Sequence, residues 1–198
     1  MSDAAGRAAS AVLAGVLALA WAAPPARAET IAVDAKPIRQ FHVRDPIRIF
    51  GALTFLGGLT LTARSHRFGG LSGLVASDDG QHLLIVSDDG EWVALRLDQA
   101  EDGTPLGVAA ARIDRRLGVD GAPAATKTAG DAEALTRDGD GYLVSVETER
   151  QLLVYPGPDP TLATPQPRAL PKEAGCLPGN GGIEAIAVAP PSSPVAGT

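Results

Sequence analysis

The chain has 198 residues, and its 23 Gly and 16 Pro make up about a fifth of it, against roughly 12% in an average protein. That density of turn-makers excludes a helical bundle and calls for many short segments. The net charge of −6 excludes a nucleic-acid grip by bulk charge, which needs a basic face. One cysteine, Cys176, excludes an intramolecular disulfide framework and a Cys-based zinc cage. His42, His66 and His82 show no metal spacing.

Residues 1–28 read as a leader. Arg7 supplies a positive charge ahead of the apolar run from Ala11 to Trp21, and Pro24-Pro25 breaks any helix. Ala26-Arg27-Ala28 then offers small residues at both positions a signal peptidase reads. The run falls short of the about 20 apolar residues that span a bilayer, so no stable membrane span is expected after cleavage. The expected product is periplasmic or secreted.

Beyond residue 28, short apolar runs alternate with Asp-Gly and Pro-Gly punctuation. Leu71–Ala76, His82–Ser87, Trp92–Asp98 and Leu106–Ile113 read as four strands, with an earlier strand near Leu53–Ala63. Four more fall near Glu133–Thr136, Tyr142–Glu147, Leu152–Tyr155 and Gln166–Leu170. Val93, Leu95 and Leu97 alternate with Ala94, Arg96 and Asp98, the pattern of a half-buried strand. No apolar stripe runs at helical spacing over three turns. The chain is expected to be all-β.

The two sets repeat. Leu71-Ser72-Gly73-Leu74 aligns with Ala132-Glu133-Ala134-Leu135 and with Ile183-Glu184-Ala185-Ile186, at intervals of roughly 50 to 60 residues. In the first two copies Asp-Gly follows, at Asp79-Gly80 and Asp140-Gly141, then a strand ending in an acid. The polar stretch Asp114 to Gly130 lengthens the first interval as an inserted loop. Four short strands per repeat predict four-stranded β-propeller blades, each sheet burying a face on its neighbour. The earlier strand belongs to a preceding blade, and residues 184–189 open a further inner strand. Residues 29–189 then form an incomplete propeller of about three blades, with 190–198 as a disordered tail. Such an arc is a truncated product or one completed by a partner chain, and its open edges invite self-association.

Turn chemistry accounts for several acids. Asp79-Gly80, Asp89-Gly90 and Asp140-Gly141 suit hairpins in which Gly takes positive φ. Asp138-Gly139-Asp140-Gly141 lacks an EF-hand continuation and reads as a turn. Ser72 sits where the other repeats carry Glu, and Leu74 breaks a G-x-S-x-G elbow, so it reads as an inner-strand residue. Gly179-Asn180-Gly181-Gly182 precedes a strand, against a dinucleotide site. Arg64, Arg67 and Lys172 read as solvated surface. Glu133 and Glu184 stand between small and apolar residues, where a carboxylate needs a cation, a donor or a wet channel.

The order of Gly69-Gly70-Leu71-Ser72-Gly73-Leu74, Val86-Ser87-Asp88-Asp89-Gly90, Asp131-Ala132-Glu133-Ala134-Leu135 and Asn180-Gly181-Gly182-Ile183-Glu184 resembles the phytase-like family, over Phe68 to Ala189. The family is described as having esterase-like activity of phytase. The resemblance implies an exported propeller related to enzymes that hydrolyse phosphate esters, with a small-molecule ester as substrate and calcium as the candidate cofactor. The acids in corresponding places are Glu133 and Glu184, the implied catalytic pair, with Asp88, Asp89 and Glu147 joining them as cation ligands. The Asp-Asp-Pro and Asn-Asn-Asp signatures of propeller phytases are missing. Two other readings stay open: a non-catalytic propeller that binds a ligand, and a calcium-dependent lactonase-like hydrolase.

Overall fold

The computed structural model describes residues 28–124, 126–170, 172, 174 and 182–194. The expected leader, apart from Ala28, and Cys176 lie outside them. Among the described residues no helix is long and apolar enough to cross a membrane.

The first repeat forms a strand meander in which each run pairs with the next. β6 (Leu71–Ala76), β7 (His82–Ser87), β8 (Glu91–Gln99) and β9 (Pro105–Arg115) are antiparallel neighbours. A short N-terminal strand, β1 (Glu29–Thr30), pairs with β9 and makes the sheet five-stranded, in the order β1-β9-β8-β7-β6. The second repeat gives β10 (Ala132–Asp138), β11 (Gly141–Val146), β12 (Gln151–Tyr155) and β13 (Gln166–Arg168), a four-stranded antiparallel sheet. Two further pairs precede them: β2 (Val33–Ile38) with β5 (Gly58–Ala63), and β3 (Ile49–Phe50) with β4 (Leu53–Thr54). The architecture is nearly all-β, antiparallel sheets with no closed barrel, consistent with an incomplete propeller-like fold.

Both faces of the five-stranded sheet are covered, which explains why β7 is apolar at consecutive positions. Leu84, Val86 and Trp92 join Leu135, Tyr142, Val144 and Tyr155 in a core shared with the four-stranded sheet. Ile85, Val93, Leu95 and Ile113 turn the other way, onto Ile31, Val33 and Leu61. Strand β8 alternates as expected over Val93–Asp98, more buried at Val93, Leu95 and Leu97 than at Ala94, Arg96 and Asp98, and only its start is buried on both faces: Trp92, opposite Val93, is 1% exposed. The early strand at Leu53–Ala63 divides into β4 and β5, and β5 closes the second core with β2. Arg67 is likewise not solvated surface. It grips the buried carboxylate of Glu91 through Nε at 2.9 Å and Nη2 at 2.6 Å, tying the β5–β6 loop to the start of β8.

The two inner strands, β6 and β10, meet backbone to backbone. A Cβ on Gly73 would lie 2.4 Å from the Leu135 amide nitrogen. Each carries a β-bulge at the same place in the repeat. The β6–β7 register shifts between Leu71 and Leu74, and the β10–β11 register between Ala132 and Ala134. Ser72 and Glu133 are thus not ordinary ladder residues. The bulge lifts Glu133 out of pairing, a device that re-aims side chains beside functional sites.

Two expectations need correction. Residues 182–190 form no strand, so a third inner strand is not built. A strand there needs a hairpin partner, and Pro190, Pro191 and Pro194 offer no amide donors to one. Instead the segment lies along β11: Ser145 Oγ accepts from the Ala134 amide at 3.0 Å and donates to the Ile183 carbonyl at 2.8 Å. Second, the β10–β11 turn takes its positive φ at Gly139, not Gly141. Gly141 opens β11 because a Cβ there would stand 2.4 Å from the Tyr155 carbonyl.

The insert between the sheets is anchored from inside. After β9, Arg116 is fully buried, and its Nη1 donates to Tyr155 Oη at 2.8 Å. Tyr155 Oη in turn donates to the Leu117 carbonyl at 2.7 Å, and burial pushes the phenol above its ordinary pKa. Tyr155→Phe therefore strips a buried guanidinium and a carbonyl of one partner each. It should cost about 1–3 kcal/mol of stability in urea denaturation. A loss within error would show that the insert is not held through this hydroxyl.

Candidate functional site

The site grows from the ends of the inner strands. In β6 and β10 the chain enters at one end of the sheet, where β7 and β11 leave it. That topology brings together Ser72, Asp88, Asp131, Glu133 and Glu147, residues far apart in sequence. Before β10, the single-turn helix α1 (Lys127–Gly130) is capped by Thr126, whose hydroxyl accepts from the Ala129 amide at 3.2 Å. The Asp131 amide donates to the Lys127 carbonyl, placing the side chains of Lys127 and Asp131 together.

One carboxylate oxygen each from Asp131, Glu133 and Glu147 lies within 4.8 Å of the other two. Oxygen-only donors at this spacing fit a hard divalent cation such as calcium. Glu133 is half-buried, and its carboxyl is pushed above the usual range. Burial is the main cause; the Ser72 hydroxyl, a hydrogen-bond donor, works against it, and the charges of Glu184, Asp131 and Glu147 add to it. Asp131 goes the other way. Its burial is outweighed by the Thr148 hydroxyl and Lys127, which hold its carboxyl below the usual range.

Lys127 is the counter-charge of the cluster. Its Nζ stands 2.9 Å from Asp131 Oδ1 and 2.8 Å from Asp88 Oδ2, and these two acids raise its pKa. Asp88 is therefore tied to the cation rather than grouped with the three acids. Its Oδ1 is buried without a hydrogen-bond partner, against Gly70, where a Cβ would sit 1.6 Å away. Gly70 also has φ +55°, so this glycine answers to both conformation and contact. Glu147 is fixed from the far side: its Oε1 accepts from the Gly182 amide at 3.0 Å. A Cβ on Gly182 would meet Glu147 Cγ at 2.6 Å, a reason for the glycine ahead of Ile183.

Of the acids named from sequence, the structure brings Glu133 and Glu147 into one oxygen cluster. Glu184 is exposed and near enough to act on the charge of Glu133, but it stands on no strand. Asp89 lies exposed in the β7–β8 turn, outside the cluster. Sequence reasoning passed over Asp131, Lys127 and Thr148. Asp131, two residues before Glu133 and flanked by Gly130 and Ala132, carried the only signal.

Lys127→Ala should tighten calcium binding, because the cation competes for the same carboxylates. Lys127 is largely exposed, so the gain is a few-fold. The same variant should lose acid stability earlier. A depressed Asp131 stabilises the fold above its unfolded pKa and loses that contribution as pH falls through its folded value. Without Lys127 the folded value rises and the window narrows. Calcium titration and an acid unfolding curve check both; an unchanged pair would remove Lys127 from the site.

No curated protein and no solved structure matches the chain. The family model for phytase-like proteins, described as esterase-like activity of phytase, matches residues 66–196. That span starts ahead of β6 and takes in both blade-like sheets apart from β1, the insert, every carboxylate of the cluster and the segment that carries Glu184. By this match over most of its length, the chain belongs to the phytase-like family, an esterase-type hydrolase family.

Proposed function

We propose that the protein is an exported, cation-assisted hydrolase of phosphate esters, acting at the cluster of Asp131, Glu133 and Glu147. The observation that carries this reading is the convergence of the three carboxylates within 4.8 Å, at the start of the inner strand β10 and the end of its neighbour β11. When bound there, a divalent cation such as calcium supplies neutralising charge for the phosphate and lowers the pKa of a bound water.

The protein's own groups do the rest. Asp131 and Glu147 are held rigidly, one by Thr148 and Lys127, the other by the Gly182 amide, so they serve as fixed ligands. Glu133 has no such clamp, and its raised pKa suits a group that takes a proton from the attacking water. Lys127, 2.9 Å from Asp131, offers its ammonium to a phosphate oxygen. Glu184, on the segment across from Glu133, completes the acidic rim.

A hydrolysis screen over phosphomonoesters, phytate and carboxyl esters, each with calcium and with chelator, tests the reading. Phosphomonoester turnover that chelation abolishes is the expected result. Binding without turnover would replace it with a non-catalytic module, and turnover of lactones alone with a lactonase-like hydrolase.

A further inference from the structure

A second cleft opens between the two large sheets, at the end remote from the carboxylates. Ser72 and Asp88 mark the acidic end of β6 and β7; Ser77 and His82 mark the other. Six-residue strands separate the two ends by about 17–20 Å. The cleft has a volume of about 530 Å³, within the range of small-molecule sites. Leu84, Ala94, Tyr142 and Pro160 give it largely apolar walls.

Its charged lining is all but one-sided. The β7–β8 register sets His82 opposite Arg96, and the β8–β9 register sets Arg112 opposite Ala94, so all three side chains share the face that looks toward the second sheet. Arg137 approaches from β10, its guanidinium 5.5 Å from the centre of the Tyr142 ring. Arg112 is already neutralised, with Nε 3.0 Å from Asp114 Oδ2 and Nη2 3.8 Å from Asp159 Oδ2. Arg96 and Arg137 have no carboxylate partner among the described residues. In a chain of net charge −6, two unpaired guanidinium groups lining one apolar-walled cavity call for an anion.

We infer that this cleft is a separate binding site for a small organic anion, a phosphate or carboxylate carried on an apolar body. The acidic group meets Arg96 and Arg137, and the body lies on Leu84, Tyr142 and Pro160. The site uses none of the residues assigned to hydrolysis, so it stands or falls apart from that reading.

Phenyl phosphate is the probe, titrated calorimetrically into the full chain with chelator present, so that cation-dependent binding at the carboxylates is silent. Saturable one-to-one binding is expected, weakening as salt rises. The double variant Arg96→Gln/Arg137→Gln should weaken it at least tenfold, and Glu133→Gln should leave it unchanged. Both arginines are exposed and in no ion pair among the described residues, so the variant should keep the wild-type thermal midpoint. Should it not, the salt dependence of the wild type and competition by phenol decide. Phenol displacing the probe as well as inorganic phosphate does would show a merely apolar pocket. No saturable binding, equal affinity in the double variant, or loss in Glu133→Gln each overturns the inference.

Discussion

Glu133→Gln should weaken calcium binding by more than about tenfold while leaving the chelated protein at least as stable as wild type. The substitution is nearly isosteric and removes a charge, not a shape. In the absence of a cation that charge is a liability: Glu133 is partly desolvated and faces Asp131, Glu147 and Glu184. An acid whose folded pKa lies above its unfolded value costs nothing at low pH, where both states hold the proton. The cost appears as pH rises from the ordinary carboxylate range through the raised value, and it is full at neutral pH. Gln never incurs it. Calcium needs the ionised form, so wild-type affinity should climb with pH over that same window, and the variant should show a flatter profile. Calorimetric calcium titration at several pH values, with thermal unfolding in chelator, measures both halves. Unchanged affinity in a folded variant would remove Glu133 from the cation site. A large loss of stability in chelator would mean that its carboxylate serves the fold instead.

The pattern of apolar runs and Asp-Gly punctuation was enough to place β6 and β7 at their observed bounds, because alternation and turn residues are local signals. The burial of Trp92, on the other face of β8, was not local: it depends on the four-stranded sheet bringing Leu135, Tyr142 and Tyr155 to cover it. The bulges lay out of reach for a similar reason. A bulge is a mismatch between two strands, and Ala132-Glu133-Ala134 read alone does not show which residue will lack a partner. The repeat did place Ser72 and Glu133 in corresponding positions, and the structure gives both a place at the matching bulge. Arg67 and Arg116 were misjudged or passed over because their partners, Glu91 and Tyr155, sit 24 and 39 residues away. Lys127 escaped because its role depends on a single-turn helix inside an insert that reads only as polar. The exposed apolar side chains of Phe41, Val43 and Leu53 fall outside both the repeat and the family match, in the segment least legible from sequence.

The contact between the inner strands carries the largest expected effect on folding. Gly73 is buried where β6 crosses β10, and its φ is not in the left-handed region, so alanine there is a steric problem alone. The added Cβ would lie 2.4 Å from the Leu135 amide nitrogen, 2.6 Å from the Ala134 carbonyl carbon and 2.8 Å from Leu135 Cβ. Two of these three atoms are backbone, and no rotamer change relieves them. Strand β10 must retreat from β6, loosening the core that Val86 and Trp92 share with Leu135 and Tyr142. Gly73→Ala should therefore cost about 3 kcal/mol in urea denaturation. Gly69→Ala supplies the control, since nothing lies within 4 Å of a Cβ there and its φ is likewise ordinary. The displacement also reaches the site, because Glu133 is the residue just before Ala134, and Ser72, whose hydroxyl bears on the charge of Glu133, is the residue just before Gly73. Calcium affinity in the folded fraction of Gly73→Ala should fall along with stability, while Gly69→Ala keeps both. Equal stability of the two variants would show that β6 and β10 do not meet backbone to backbone, and the packing that brings Glu133 to the end of β6 would have to be redrawn.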